Sequence, residues 1–309
     1  MSFKLLFMGT PSFSVPILKS LNLSNHKILE VYTQPPKKKD RGQKISFSPV
    51  HKFSNEINIP VRHPATLRPQ VELEHIKQLK PDIVVVVAYG QIIPSEFLDL
   101  QNIIFINIHA SLLPKWRGAA PIQRAIMNCD KETGISIMKI EEELDAGPIL
   151  LKSKIEINKN NNYEELSNKM SSLGAKLILD ALDLIEKKKA NFVPQDQKKA
   201  TYAKKIKKTE SKIDWNLEAK DIVAKVNAFC PNPGCWFNLK GSRIKIIKAV
   251  EIQTSGLPGE IINDSFTIGC SKNAIQVLEL QKEGKNKISA EEFLKGNKLE
   301  VGFNILKDV

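Results

Sequence analysis

The chain has 309 residues, 42% of them hydrophobic and 26% charged, with a net charge of +12. This composition excludes a disordered chain, and no apolar run reaches the roughly 18 residues of a membrane-spanning helix. Four cysteines, Cys129, Cys230, Cys235 and Cys270, lack the close repeated spacing of a disulfide or zinc framework and read as free, buried thiols.

The excess charge is local. Residues 1–186 carry 23 basic and 20 acidic side chains, residues 187–208 carry 9 and 1, and residues 209–309 carry 14 and 13. Most of the excess therefore falls in one short stretch, which suits either an anion-binding strip or a solvated linker. Lys4 and a short apolar run broken by Gly9 and Pro11 do not make a signal peptide, so the expected location is the cytoplasm.

In chain order, Phe3 to Met8 reads as a strand, followed by a helical pattern through Val15, Ile17, Leu18 and Leu21 and a second strand from Ile28 to Thr33. Helices are expected near Pro49–Asn58 and Pro69–Leu79. The run Asp82–Ala88 is apolar on both faces, as a central parallel strand must be when helices cover both sides. Another strand, Ile103–Ile108, and a helix, Ala119–Asn128, complete a βαβ alternation that predicts a Rossmann-like open sheet. Ligands in such folds bind at the carboxyl ends of the strands. Gly134–Ile140 and Pro148–Ile157 read as later strands, and Tyr163–Lys189 as a long amphipathic helix. Residues 190–208 are polar, basic and aperiodic, as a linker would be.

Beyond the linker, one helix, Ala219–Ala228, precedes five short strands separated by turn residues, which predicts a small OB-like β-barrel. The expected class is α/β, with a Rossmann-like open sheet in an N-terminal domain, 1–189, a basic linker, 190–208, and an OB-like domain, 209–309.

Asn107 and His109 share one face at the carboxyl end of a strand, about 7 Å apart at the usual rise. An amide donor beside an imidazole supplies what acyl transfer needs: one group for a developing oxyanion and one to move a proton. Taken alone, such a pair is more often structural. No Gly-x-Ser-x-Gly elbow or reactive cysteine context points to a covalent acyl-enzyme. The other histidines, His26, His51, His63 and His75, have no metal-ligand spacing, so no metal is expected. Gly9-Thr10-Pro11 follows the first strand without a GxGxxG pattern, which disfavours a dinucleotide.

Around this pair runs Ser111-Leu112-Leu113-Pro114-Lys115-Trp116-Arg117-Gly118-Ala119-Ala120-Pro121-Ile122-Gln123-Arg124. With Phe7–Pro11, Val86–Gly90, Leu144-Asp145-Ala146-Gly147, Lys212–Trp215 and Ala228–Gly234, it closely resembles the methionyl-tRNA formyltransferase family over nearly the whole chain. The resemblance implies formyl transfer from 10-formyltetrahydrofolate, as co-substrate, to the amino group of initiator methionyl-tRNA. It places catalytic roles on Asn107, His109 and Asp145, with Asp145 orienting His109. It places folate contacts on Ser111, Leu112, Leu113 and Pro114 and on the backbone around Tyr89, Gly90, Gln91 and Ile92. It places a tRNA-contacting loop at residues 34–44, with Arg41 as its functional arginine and Lys37, Lys38 and Lys39 beside it. Here lysines stand where the family's commoner pattern has a proline and an arginine. Phosphate contact survives that change, but bidentate geometry need not. Lys204, Lys205, Lys207 and Lys208, with Lys198 and Lys199, would lie along the RNA. The expected partners are initiator methionyl-tRNA and folate, with no membrane, and the expected state is a monomer.

Three rival readings remain at this level. One is a folate-dependent formyltransferase acting on a small amine such as an amino sugar nucleotide. The others are a formyl-folate hydrolase and a catalytically silent RNA-binding relative.

Overall fold

The computed structural model describes residues 2–39 and 44–307. The chain divides into two compact units. The first comprises Met1–Gly118, Thr133–Ile155 and Ser167–Ala203, and the second comprises Ala119–Glu132, Glu156–Leu166 and Lys204–Val309.

In the first unit, β1 (Lys4–Gly9) leads into α1 (Val15–Asn22) and β2 (Lys27–Tyr32). A small hairpin of β3 (Lys37–Lys39) and β4 (Lys44–Ser46) follows, then α2 (Pro49–Glu56), β5 (Val61–Arg62) and α3 (Gln70–Leu79). Next come β6 (Ile83–Val87), the single turn α4 (Ser95–Leu98) and β7 (Ile104–His109). The sheet has the order β10-β9-β7-β6-β1-β2-β5, where β9 is Glu132–Lys139 and β10 is Ile149–Glu156. Its core is parallel: β1 pairs β2 and β6, β2 pairs β5, and β6 pairs β7. β9 joins β7 antiparallel.

The all-apolar run Ile83–Val87 is buried along its whole length, as its two-faced sequence requires. Within α6 (Tyr163–Glu186), the part belonging to this unit buries Met170, Leu177, Ile178 and Leu182. A Cβ on Gly174 would lie 3.3 Å from both Ile108 and Ile17, so the missing side chain is what lets this helix lie close to β7 and α1.

Strand order reverses beside β1, whose successors in sequence go first to β2 and then back to β6. This is a topological switch point, where open α/β sheets form a crevice at their carboxyl ends. Here the crevice is laced by hydrogen bonds: Thr10 Oγ1 donates to the Tyr89 carbonyl at 2.8 Å, and Ser14 Oγ to that of Val87 at 2.7 Å.

Part of the stretch that reads as a linker is built into this unit. β8 (Arg117–Gly118) pairs in parallel with β11 (Tyr202–Ala203), and Arg117 N donates to the Thr201 carbonyl at 2.8 Å. Sequence periodicity could not report it, because two-residue strands have no period to read.

The second unit holds α5 (Pro121–Met127), α7 (Ala219–Phe229) and an antiparallel sheet. Its strands are β12 (Cys235–Leu239), β13 (Ser242–Ile252), β14 (Ile261–Asn263), β15 (Thr267–Gly269), β16 (Ala274–Lys282) and β17 (Lys287–Ser289). The order is β12-β13-β16-β15-β14, with β17 also on β16. The register of β13 against β16 shifts around Ile246 to Ala249. Trp215 sits edge-on to Phe237 at 5.4 Å, and Phe266 stacks on Phe293 of α8 (Ala290–Gly296) at 5.7 Å. Cys235 is buried, and its thiol is pushed up to about 12 by that burial.

Candidate active site

β7 ends at the crevice and delivers two side chains there. Asn107 pairs with Val86 on one side and Met138 on the other, so its backbone is fixed from both neighbours. His109, two residues on, is buried. Both approach one carboxylate. Asn107 Nδ2 lies 3.4 Å from Asp145 Oδ1, and His109 Nδ1 lies 3.5 Å from Asp145 Oδ2. The opposite ring nitrogen, His109 Nε2, is 2.9 Å from the Trp116 carbonyl. A carbonyl can only accept, so that nitrogen carries a proton and Nδ1 is the one turned toward Asp145.

Asp145 is held from several directions. Gly118 N donates to its Oδ2 at 2.8 Å, and Gln195 Nε2 donates to its backbone carbonyl at 2.8 Å. The Leu-Asp-Ala-Gly segment is a turn, and Asp145 occupies the left-handed region at φ 51°. Trp116 at φ 62° and Ala88 at φ 47° do the same in the adjoining loops. Such a conformation costs a non-glycine residue about 1–2 kcal/mol and persists only where surrounding bonds enforce it.

Ser111 to Pro114 form a tight turn directly after His109. Ser111 and Leu113 are buried: Ser136 Oγ donates to the Ser111 carbonyl at 2.7 Å and accepts from Leu113 N at 3.0 Å. Leu113 packs with Met138 and Ile149. Leu112 and Pro114 are partly exposed. After β6, Tyr89 is buried in the apolar core and its hydroxyl is pushed above its ordinary range by that burial. Gly90 and Gln91 carry the turn at the crevice, and Ile92 is exposed. Gln34 Nε2 donates to the Gly90 carbonyl at 2.8 Å, tying this turn to the segment that leads into the β3–β4 hairpin. Gln91 Nε2 donates to the Pro64 carbonyl, while its Oε1 is a buried acceptor with no partner among the described residues.

The basic loop at 34–44 contains a short hairpin rather than coil. Lys37 is exposed and its Nζ donates to Gln34 Oε1 at 2.7 Å. The backbones of Lys38 and Lys39 pair with Ile45 and Lys44, and Arg41 lies outside the described residues. Lys204, Lys205, Lys207 and Lys208 belong to the second unit and are all exposed.

Two groups near the site carry no role in the sequence reading. Arg117 is fully buried, and Gln195 comes from the polar stretch that reads as linker. Arg117 stood inside a recognisable run, whereas Gln195 left no pattern to find. Among the described residues, no group of three or more His, Cys, Asp or Glu is placed to hold a metal ion.

The Rossmann-like sheet agrees with the family comparisons. Residues 3–182 match the formyl transferase family, and residues 205–298 match the formyl transferase C-terminal domain. The chain belongs to the formyltransferase family, in its methionyl-tRNA formyltransferase branch. The methionyl-tRNA formyltransferase of Pelagibacter ubique (strain HTCC1062) is 49% identical over 307 residues, covering 99% of both chains. That of Paramagnetospirillum magneticum (strain ATCC 700264 / AMB-1) is 42% identical over 300 residues, covering 97% of this chain and 98% of its own. Two solved structures share the fold. The N-formyltransferase from Helicobacter canadensis, in complex with folinic acid and dTDP-3-aminofucose, has a TM-score of 0.68 at 21% identity, covering 91% of this chain and 99% of its own. HypX from Aquifex aeolicus, in complex with tetrahydrofolic acid, has a TM-score of 0.66 at 18% identity, covering 98% of this chain and 51% of its own.

Proposed function

We propose that this enzyme transfers the formyl group of 10-formyltetrahydrofolate to the free amino group of methionyl initiator tRNA, using Asn107, His109 and Asp145. The observation that carries the residue assignment is the convergence of Asn107 Nδ2 and His109 Nδ1 on the two oxygens of one carboxylate. Both contacts are long for hydrogen bonds, so Asn107 Nδ2 is free to tighten onto a reacting oxygen and His109 Nδ1, whose ring proton sits on Nε2, is free to accept a proton. Asn107 donates to the formyl oxygen as negative charge develops there. The attacking amine loses a proton and the departing N10 of the folate gains one. His109 Nδ1 and Asp145 relay that proton, with His109 Nε2 anchored on the Trp116 carbonyl so that the ring keeps its orientation.

Folate contacts fall on the turns after β6 and β7, at Tyr89, Gly90, Gln91 and Ile92 and at Ser111 to Pro114. Ser111 and Leu113 are committed to packing, so that turn contributes backbone groups and the exposed parts of Leu112 and Pro114.

Residues 1–189 carry the chemistry, and the basic stretch 190–208 with residues 209–309 engages the RNA. Arg41 and Lys37 to Lys39 reach the acceptor end, while Lys204, Lys205, Lys207 and Lys208 neutralise phosphates. The enzyme works as a cytoplasmic monomer without a membrane. No helix among the described residues is long and apolar enough to cross one.

The test is formyl transfer from 10-formyltetrahydrofolate to methionyl initiator tRNA, with free methionine and a nucleotide-linked amino sugar as parallel acceptors. Transfer to the charged tRNA alone is the expected result. Transfer only to the amino sugar would overturn the acceptor assignment.

A further inference from the structure

From the hydrogen bonding around Asp145 we infer that Gln195 is a positioning residue for the transfer reaction, fixing the Asp145 turn against His109 and Asn107. The inference rests on the proposed catalytic role of Asp145.

Gln195 is buried, and its amide is fully used. Oε1 accepts from Arg117 Nε at 3.2 Å and from Arg117 Nη2 at 2.9 Å. Nε2 donates to the carbonyls of Asp145 and Gly147, both at 2.8 Å. The orientation of this amide is not ambiguous. A guanidinium only donates and a carbonyl only accepts, so the oxygen must face Arg117 and the NH2 must face the turn.

Besides Gly118 N on its carboxylate, the turn is held by Ala146 N on the Glu143 carbonyl at 3.2 Å and by Arg117 Nη1 on Glu143 Oε1 at 3.4 Å. Glu141, Glu142, Glu143 and Leu144 are exposed, and Asp145 sits in a left-handed conformation that an unsupported aspartate leaves readily. Two carbonyls flanking Ala146 are gripped by one NH2 group, which sets the direction in which the Asp145 carboxylate leaves the chain. Gly118 N, next to Arg117, takes the carboxylate from the other end. Arg117 is in turn anchored by Gln197 Oε1 at 2.8 Å. The stretch that reads as a linker therefore returns to the catalytic turn and locks it.

Gln195→Glu separates positioning from mere structure. The variant keeps an acceptor for the buried Arg117 and adds a charge pair to it, so a role confined to holding Arg117 predicts full activity. It also presents a carboxylate oxygen to two carbonyls, which cannot be bridged without a proton. Positioning therefore predicts a fall in kcat of about ten- to a hundred-fold, with KM for folate and for tRNA within about two-fold. The variant should remain folded, and the Gly118 amide should exchange faster with solvent. Retention of kcat within two-fold in a folded Gln195→Glu enzyme overturns the inference. Should that variant not fold, Gln195→Met is judged by the same criterion, and failure of both to fold overturns it in favour of a structural role. The underlying reading fails differently: the unaltered chain would not formylate, or Asp145→Asn would be fully active.

Discussion

Arg124 and Glu210, 86 positions apart, meet edge to edge, with Nη1 2.7 Å from Oε2 and Nη2 3.1 Å from Oε1. Arg124 Nε also donates to the Lys204 carbonyl, and Glu210 Oε1 accepts from Lys207 N at 2.7 Å. The pair thus holds the backbone at Lys204 and at Lys207 and sets the course of this segment beside α5. The lysines point outward from a chain that is fixed rather than loose.

This pairing makes part of the stability depend on pH. The hydrogen-bonded Arg124 guanidinium holds the Glu210 carboxyl below its ordinary value of 4.5. A depressed carboxylate contributes stability above the unfolded-state value, and that contribution is lost as pH falls through the lower folded value. Glu210→Gln is expected to cost about 1–3 kcal/mol at pH 7. The difference between wild type and variant should shrink as the pH drops below 4.5, measured by urea unfolding from pH 7 to pH 3. A difference independent of pH would mean that the pair is not linked to protonation.

Replacement of the reacting side chains separates chemistry from binding. His109→Ala should lower kcat by about 10²–10⁴-fold, and Asn107→Ala by about 10²–10³-fold. tRNA affinity should stay nearly unchanged in both. The double variant should lose little more than His109→Ala alone, because groups acting on one transition state are not additive. Single-turnover formylation with a filter-binding Kd checks this. A parallel collapse of tRNA affinity would remove the catalytic assignment.

How far the sequence reaches can be judged residue by residue. Val84–Val87 announces a central parallel strand because burial on both faces leaves no polar position, and it is buried throughout. Asn107 and His109 are legible as a pair because a strand has a fixed period of two. Asp145 reads equally as a turn residue, and its φ of 51° shows that it is one. Its approach to His109 and Asn107 depends on the pairing of β7 with β9, which no local pattern encodes. The β3–β4 hairpin hides in a lysine run with weak strand propensity. α8 is only seven residues long, too short for a helical period to show. Gln195 is invisible because a buried amide in an aperiodic segment differs from a solvated one only through partners far along the chain.

The exposed lysines should act through charge alone. Neutralising Lys204, Lys205, Lys207 and Lys208 should weaken tRNA binding and reduce the slope of log Kd against log salt by roughly 0.7–0.9 for each phosphate they no longer neutralise. Folate KM should not change. Titrations at several potassium chloride concentrations supply the slope, and an unaltered slope would make these residues solvated bystanders.

Two glycines near the site should respond differently to a methyl group. A Cβ on Gly147 would fall 2.0 Å from the Lys139 carbonyl oxygen, a backbone atom of β9 that cannot swing aside. Relief requires the Asp145 turn and the strand to separate, and the Gln195 bond to the Gly147 carbonyl with them. Gly147→Ala is therefore expected to destabilise by about 1–3 kcal/mol and to depress kcat. At Gly90 the clash is with Gln34 Nε2 at 2.3 Å, the end of a flexible side chain. Gly90 also has φ at 80°, so alanine there adds about 1–2 kcal/mol of backbone strain. Displacing Gln34 frees the turn proposed to meet the folate while leaving β7 and Asp145 in place. Gly90→Ala should thus raise folate KM with kcat largely kept, the reverse of Gly147→Ala. Steady-state kinetics on the two variants, beside their melting temperatures, decides the matter. Equal effects on kcat and KM in both would mean that the two turns do not divide the work of binding and chemistry.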